Sequence, residues 1–252
     1  MAAVESTGTP RTAARIVKPP SMVELAAQAL RRMIIGGDLL PGDRVVENQL
    51  TKELGISRPP LREALRVLEL EGLIRQTPHR GAVVTPLTLH DVYEIVTLRR
   101  ELERMAIGLA VPVRDPSRLP RCRSALDRMA AAADAGERAE LSEAAFEFHV
   151  SVIGLSGHRR LEDAYRSLQL QMLLCMALNR RARAQRAETM AEDVQRHRRL
   201  LEVIEKGDPA AVLNELEHHG DRTFLHDIAE ALDEGTPEAR EWLAGERAED
   251  RT

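Results

Sequence analysis

At 252 residues, with 43% apolar and 30% charged side chains, the chain is long enough for two folded parts and a sizeable core. Aromatic residues make up only 2%, so its cores must be built from Leu, Ala, Val, Ile and Met, which favours helices over sheets. The formal net charge of −4 hides an asymmetry: residues 1–86 carry 12 Lys and Arg against 9 Asp and Glu, the remainder 24 against 31. A weakly basic head on an acidic body suits a module for an acidic partner joined to something else.

Residues 1–20 are rich in Ala, Thr, Pro and Arg without a sustained period, and are expected to form a disordered arm. They lack the apolar segment of a signal peptide, and no 18-residue apolar run follows, so the expected location is the cytosol with no membrane contact. A helical run covers Met22 to Ile35. Between 47 and 72, in ENQLTKELGISRPPLREALRVLELEG, two amphipathic patterns meet at a short turn. The first carries Val46, Leu50 and Leu54 at four-residue steps and stops at Gly55. The second begins after Ser57, an N-cap residue type, and keeps Leu61, Ala64, Leu65 and Leu68 at i, i+3, i+4 and i+7. Arg58, Arg62 and Arg66 fall on another face. On most amphipathic helices such a stripe is only a solvated face. At the front of the second helix of a helix-turn-helix it is what major-groove docking requires, because a guanidinium pairs with phosphate or with a guanine edge. A hairpin-like stretch, LIRQTPHRGAVVTPL, follows as a basic two-stranded wing with its tip at His79, Arg80 and Gly81.

These runs resemble the DNA-binding domain of the GntR family of bacterial transcription regulators. The resemblance rests on IIGGDLLPGDRVVE (34–47), LTKELGISRPPLREALRVLELEGLI (50–74) and the wing glycine Gly81. It implies operator contacts from Ser57, Arg58 and Arg62, from Asn48 on the preceding helix, and from Arg80 and Gly81 at the wing. Pro59 stands where the family usually has Thr, which removes a hydroxyl contact. The winged domain is expected over 21–86.

Thr88 is a candidate N-cap for the next helix. From Leu89 the pattern is helical, with helices expected near 89–111, 116–134, 137–155, 158–184, 187–206 and 208–232, punctuated by Pro112, Pro116, Gly136, Gly157 and Gly207. Successive helices with short connections imply an antiparallel bundle over 87–232. Residues 233–252 are charged and polar and are expected to form a frayed tail, with Trp242 docking back. Cys122 and Cys175 have no metal-like spacing and read as reduced thiols. The fold class expected is mainly α: a winged helix-turn-helix followed by a helical bundle.

Of eight histidines, His79, His90, His158 and His226 sit near turns, helix ends or polar surroundings. His149, His197 and His219 each fall inside a separate expected helix, and imidazoles from facing helices of a bundle can share a metal. Convergence is not readable from spacing, and three unrelated polar histidines remain open. Here the runs LRRELERMAIGLA (98–110), FHVSVIGLSGHRRL (148–161) and HRRLLEVIEKGDPAAVLNELEHH (197–219) resemble the effector (FCD) domain of the FadR subgroup of that family. The resemblance implies that His149, His197 and His219 hold a divalent metal (Zn or Ni) at the floor of a ligand cavity, with Arg99 gripping an anionic ligand. Metal-binding relatives carry Asp one turn before the first histidine, and this chain has Ala145. Either an effector carboxylate replaces that Asp, or the histidines and Arg99 bind an anionic metabolite without metal.

The combined expectation is a homodimeric regulator, a repressor, that binds double-stranded DNA at an inverted-repeat operator and responds to a small organic acid. The competing reading is a metal-dependent enzyme fused to a DNA-binding head. A three-His zinc can be catalytic, but no HExxH motif or placed general base accompanies it. A purely architectural DNA-binding protein is the third.

Overall fold

The computed structural model describes residues 19–77, 81–185, 189–217, 219, 232 and 235–249. Residues 1–18 of the expected arm, with Arg11, Arg15 and Lys18, the wing-tip His79 and Arg80, and His226 lie outside them.

The N-terminal part is built from α1 (Met22–Gly36), β1 (Arg44–Val45), α2 (Glu47–Glu53), α3 (Arg58–Leu70), β2 (Ile74–Thr77) and β3 (Gly81–Val84). A capping box between Ser21 and Glu24 starts α1, and Gly37 ends it at φ 86°. Helix α3 buries Leu61, Ala64, Leu65 and Leu68, all four positions its periodicity selects. They meet Ala26, Ala27, Leu30 and Ile34 of α1, and Leu50 of α2, in one core. The wing has three strands rather than two. Strand β3 is central, pairing with β2 (Ile74 opposite Val84) and with β1 (Arg44 opposite Val83), all antiparallel. A two-residue strand is too short to leave an alternating pattern in sequence.

The C-terminal part comprises α4 (Leu89–Ala110), a 3-10 turn (Pro116–Arg118), α5 (Leu119–Ala135), α6 (Arg138–Gly154), α7 (Arg159–Ser167), α8 (Gln169–Gln185), α9 (Met190–Lys206), α10 (Pro209–Glu217) and α11 (Pro237–Glu249). Thr88 and Asp91 form a capping box at the start of α4, and Thr189 and Glu192 do the same for α9. Helix α6 is the centre. Ala139, Leu141, Ala144, Ala145, Phe146, Phe148, Val150, Val152 and Ile153 are buried on all its sides, so it serves both of the bundle's hydrophobic clusters.

Three expectations need correction. The helix placed at 158–184 is two helices that break at Leu168. No Gly or Pro marks the break; Ser167, the last residue of α7, donates its hydroxyl to the Ala164 carbonyl at 2.7 Å. The helix placed at 208–232 ends at Glu217 among the described residues, and His219 lies beyond it. The stretch taken as a frayed polar tail forms α11, which buries Ala239 and Leu243 against the bundle. Trp242 packs on Tyr93 of α4 with ring centroids 5.5 Å apart, and Glu246 pairs with Arg100.

The two parts share side chains: Leu174 of α8 enters the head's core, and Ile35 of α1 enters the bundle's. Leu68 is fully buried in the head. Leu68→Ala is expected to cost about 2–5 kcal/mol of stability in chemical denaturation, the usual range for a cavity of that size.

Candidate functional site

The exposed front of α3 presents Arg58, Arg62 and Arg66, with Ser57 as the N-cap residue, although its hydroxyl makes no capping hydrogen bond. Asn48 is exposed on the neighbouring α2, and its Oδ1 accepts from Arg58 Nη2 at 2.9 Å. Arg62 Nε donates to Glu47 Oε2 at 3.0 Å, and Arg66 pairs with Glu63. Exposed pairs of this kind contribute little to stability, so the guanidiniums are held in place yet exchangeable for phosphate or base edges. Pro59 and Pro60 follow Arg58 in the first turn of α3 and have no N–H to offer. The positive end of α3 therefore depends on guanidiniums more than on backbone amides. Gly81 opens β3 at φ 84°, a backbone conformation suited to glycine. Four of the six expected DNA-contacting residues thus share one face of the α2–α3 pair, Gly81 starts a wing strand, and Arg80 lies outside the described residues.

In the bundle, α6, α9 and the segment after α10 bring His149, His197 and His219 together. Each offers a ring nitrogen within 4.8 Å of the others', and all three residues are buried. His197 and His219 have ring centroids 4.4 Å apart, and His149 stands 5.3 and 5.2 Å from them. His197 Nδ1 lies 2.9 Å from the Asp193 carbonyl oxygen one turn earlier, so it donates there and its Nε2 faces the cluster unpaired. Both His219 ring nitrogens are likewise buried without a hydrogen-bond partner. Burial, followed by the neighbouring imidazoles, pushes the pKa of His197 and of His219 well below the usual histidine value, so both rings are neutral. Phe148 packs edge-on against His149 and His197. Buried polar atoms without partners are costly, and neutral imidazoles aimed at one another suit a shared cation. The residues present fit a divalent metal.

The expected Asp position, Ala145, is buried and apolar, and Glu147 pairs with Arg166 instead. Reading by sequence missed the carboxylate that is present. Glu103 of α4 is 5% exposed and lies with its Oε1 3.1 Å from His149 Nδ1, although not aligned as a hydrogen bond. It accepts from Arg99 Nε at 3.0 Å and from the Tyr165 hydroxyl at 2.7 Å. Burial opposes the charge on Glu103, but the Arg99 guanidinium, the His149 ring and the Tyr165 hydroxyl outweigh it and hold its carboxyl well below the usual range. Arg99 Nη2 is 3.3 Å from His149 Nε2. A guanidinium only donates, so that nitrogen accepts and the proton sits on Nδ1, facing Glu103. The signal for Glu103 was its i+4 spacing from Arg99 on the buried stripe of α4 that continues through Ala106 and Ala110. A cleft of about 410 Å³ borders this network, lined by Arg100, Glu101, Glu103, Arg104, Leu213 and Leu216. Its size suits a small metabolite.

Glu103→Gln removes one partner of a buried ion pair and is expected to cost about 3–5 kcal/mol in urea denaturation. A loss within the ordinary surface range would show that the pair carries no such weight.

Comparison with known proteins agrees with this architecture. Residues 23–84 match the description "Bacterial regulatory proteins, gntR family", and residues 94–222 match "FCD domain". The chain is 32% identical over 207 residues to the uncharacterized HTH-type transcriptional regulator YdhC of Bacillus subtilis (strain 168), covering 82% of this chain and 90% of that protein. It is 26% identical over 196 residues to the gluconate operon transcriptional repressor of the same organism, covering 77% and 80%. A solved GntR-type structure from Rhodococcus sp. RHA1 superposes with a TM-score of 0.61 at 22% identity, covering 82% of this chain and 97% of that one, which speaks for the fold. Among the described residues no helix is long and apolar enough to cross a membrane. The chain belongs to the GntR family, as a DNA-binding transcriptional regulator with a C-terminal FCD domain and not as an enzyme.

Proposed function

We propose that the protein is a cytoplasmic repressor that binds an inverted-repeat operator as a dimer and answers to a small organic acid held beside a metal in the FCD domain. The observation that carries the ligand half of this reading is the convergence of buried ring nitrogens from His149, His197 and His219, with His197 Nε2 and both His219 nitrogens lacking a hydrogen-bond partner. These residues would hold a Zn²⁺ or Ni²⁺ ion, which would supply a Lewis-acidic anchor for an oxygen ligand. Arg99 and Glu103 neutralise each other, so the chain contributes no anionic ligand to offset the ion in the position of Ala145. A carboxylate from outside fits that deficit. The Nε2 lone pair of His149 can serve Arg99 or an ion but not both. Ion binding at that nitrogen would thus release an Arg99 N–H toward an anion, which gives metal and acid a physical basis for positive coupling. One relative is the repressor of a gluconate operon, and gluconate is itself a carboxylate.

On the DNA side, Arg58 and Arg62 of α3 would read bases or fix register, helped by Ser57 and Asn48, with Arg80 and Gly81 at the wing supplying backbone contacts. The acid shifts operator affinity only by its differential binding to the arrangements of the two heads, typically ~1–3 kcal/mol.

Arg62→Ala is expected to weaken operator binding by ~1–3 kcal/mol in a fluorescence anisotropy titration, with the melting curve unchanged. Operator affinity equal to the parent's would remove α3 from the interface. Tag-free protein is expected to bind Zn²⁺ or Ni²⁺ in calorimetric titration, more tightly with an organic acid present, and His197→Ala is expected to abolish it. Acid binding that persists without metal would instead favour direct capture of the anion by Arg99 and the histidines.

A further inference from the structure

Residues directly opposite one another in antiparallel strands share a face of the sheet, and neighbours along a strand alternate between faces. In the wing, Val45 stands opposite Ala82 and Ile74 opposite Val84, and all four are buried in the head's core. Gln76, also opposite Ala82, reaches Glu69 of α3 from that same side. The register turns the alternate row outward: Arg44 of β1, Val83 of β3 and Arg75 of β2 stand abreast across all three strands. Both arginines are exposed, and Val83 is half-buried between them. At the usual strand spacing their Cα atoms are roughly 10 Å apart. Arg44 reaches along the sheet toward the start of β3, its Nη2 4.0 Å from where a Cβ on Gly81 would stand. These guanidiniums differ from those at the front of α3. Arg58, Arg62 and Arg66 are each held by a neighbouring side chain, whereas Arg44 and Arg75 have no ion-pair or hydrogen-bond partner among the described residues. The carboxylates around Arg75 are engaged elsewhere: Glu71 pairs with Arg31, Asp91 caps α4 and Glu94 lies beside His90.

We infer that the outer face of the wing sheet is a seat for the phosphate backbone of DNA, with Arg44 and Arg75 as its two anchoring charges. This rests on the DNA half of the function proposed above and adds a surface to it, continuous with the wing strand that Gly81 opens. A single exposed arginine is ordinarily just solvated. Two abreast on one sheet face, with no carboxylate to neutralise them, suit a partner that carries regularly spaced negative charge. Phosphate contacts fix the position of a protein on the duplex without reading its sequence. Arg44 and Arg75 can make them without giving up an existing pair, whereas each α3 arginine must first leave Asn48, Glu47 or Glu63. The two sets thus divide the work. Helix α3 discriminates between sequences, and the wing face adds affinity that salt weakens.

Anisotropy titrations of the full chain test this, with a mixed-sequence duplex and with the duplex upstream of the protein's own gene, at salt concentrations from about 50 to 200 mM. Arg44→Gln and Arg75→Gln are each expected to lower the slope of log affinity against log salt by about one, and the double variant by about two. The loss of affinity is expected to be similar on both duplexes. Arg44→Lys and Arg75→Lys keep the charge and are expected to keep the slope. Arg32→Gln removes the same charge in the notch between α1 and the α5–α6 turn, and is expected to leave the slope unchanged. Circular dichroism confirms that each variant is folded. Lysine variants that lose slope as the glutamine ones do, an equal loss in Arg32→Gln, or a loss confined to one duplex would each overturn the assignment. Failure of the parent to bind either duplex would overturn the DNA reading itself. Salt-sensitive binding by the parent, with the same slope in every folded glutamine variant, would overturn only this face.

Discussion

Helix α6 has no side that faces water over most of its length, and this constraint orders the bundle around it. A helix whose side chains are apolar all round must be enclosed, and α4, α5, α7, α8 and α9 each supply part of the enclosure. His149 sits on this helix, so its imidazole is buried by the same packing that buries Phe146 and Phe148. The cost of hiding a polar ring is met by neighbours that are also hidden, Glu103 and Arg99 from α4 and the other two histidines from α9 and the segment after α10. The polar cluster is therefore a consequence of where the central helix must lie, and its geometry is held by the surrounding apolar core.

That cluster has a simple charge balance. Arg99 and Glu103 cancel, the Tyr165 hydroxyl stays protonated because burial and the adjacent carboxylate raise its pKa well above the usual value, and the imidazoles of His197 and His219 are neutral. In a low-dielectric interior an added dication is unfavourable without an anion close by. On the function proposed above, the apolar Ala145 would leave the ligand to supply that anion. The head follows a different logic. Its arginines are exposed, lightly held by Asn48, Glu47 and Glu63, and cheap to redirect.

Much of this was legible in the sequence where local periodicity decides the outcome. The four buried positions of α3, the cap at Thr88 and the helical character after Leu89 follow from spacing and residue type. What was not legible depends on contacts between distant segments. Strand β1 is two residues long and exists because Arg44 and Val45 lie beside β3. Helix α11 hides a narrow stripe of Ala239, Trp242 and Leu243 within a charged segment, and only the neighbouring α4 shows which face matters. The break at Leu168 carries no Gly or Pro to mark it. The convergence of the three histidines could be suspected from their separate helices, but Glu103 comes from a helix that carries none of them, and so spacing around the histidines could not find it.

The exchange of Ile35 and Leu174 between the two cores has a consequence for how such a chain can be cut or recombined. A head excised after residue 86 would lose Leu174 and be left with an apolar notch open to water. The bundle left behind would lose Ile35 from its own packing. Neither half is a self-contained cassette, so grafting this head onto a foreign sensor requires rewriting the last turn of α1 together with the face of α8 that receives it.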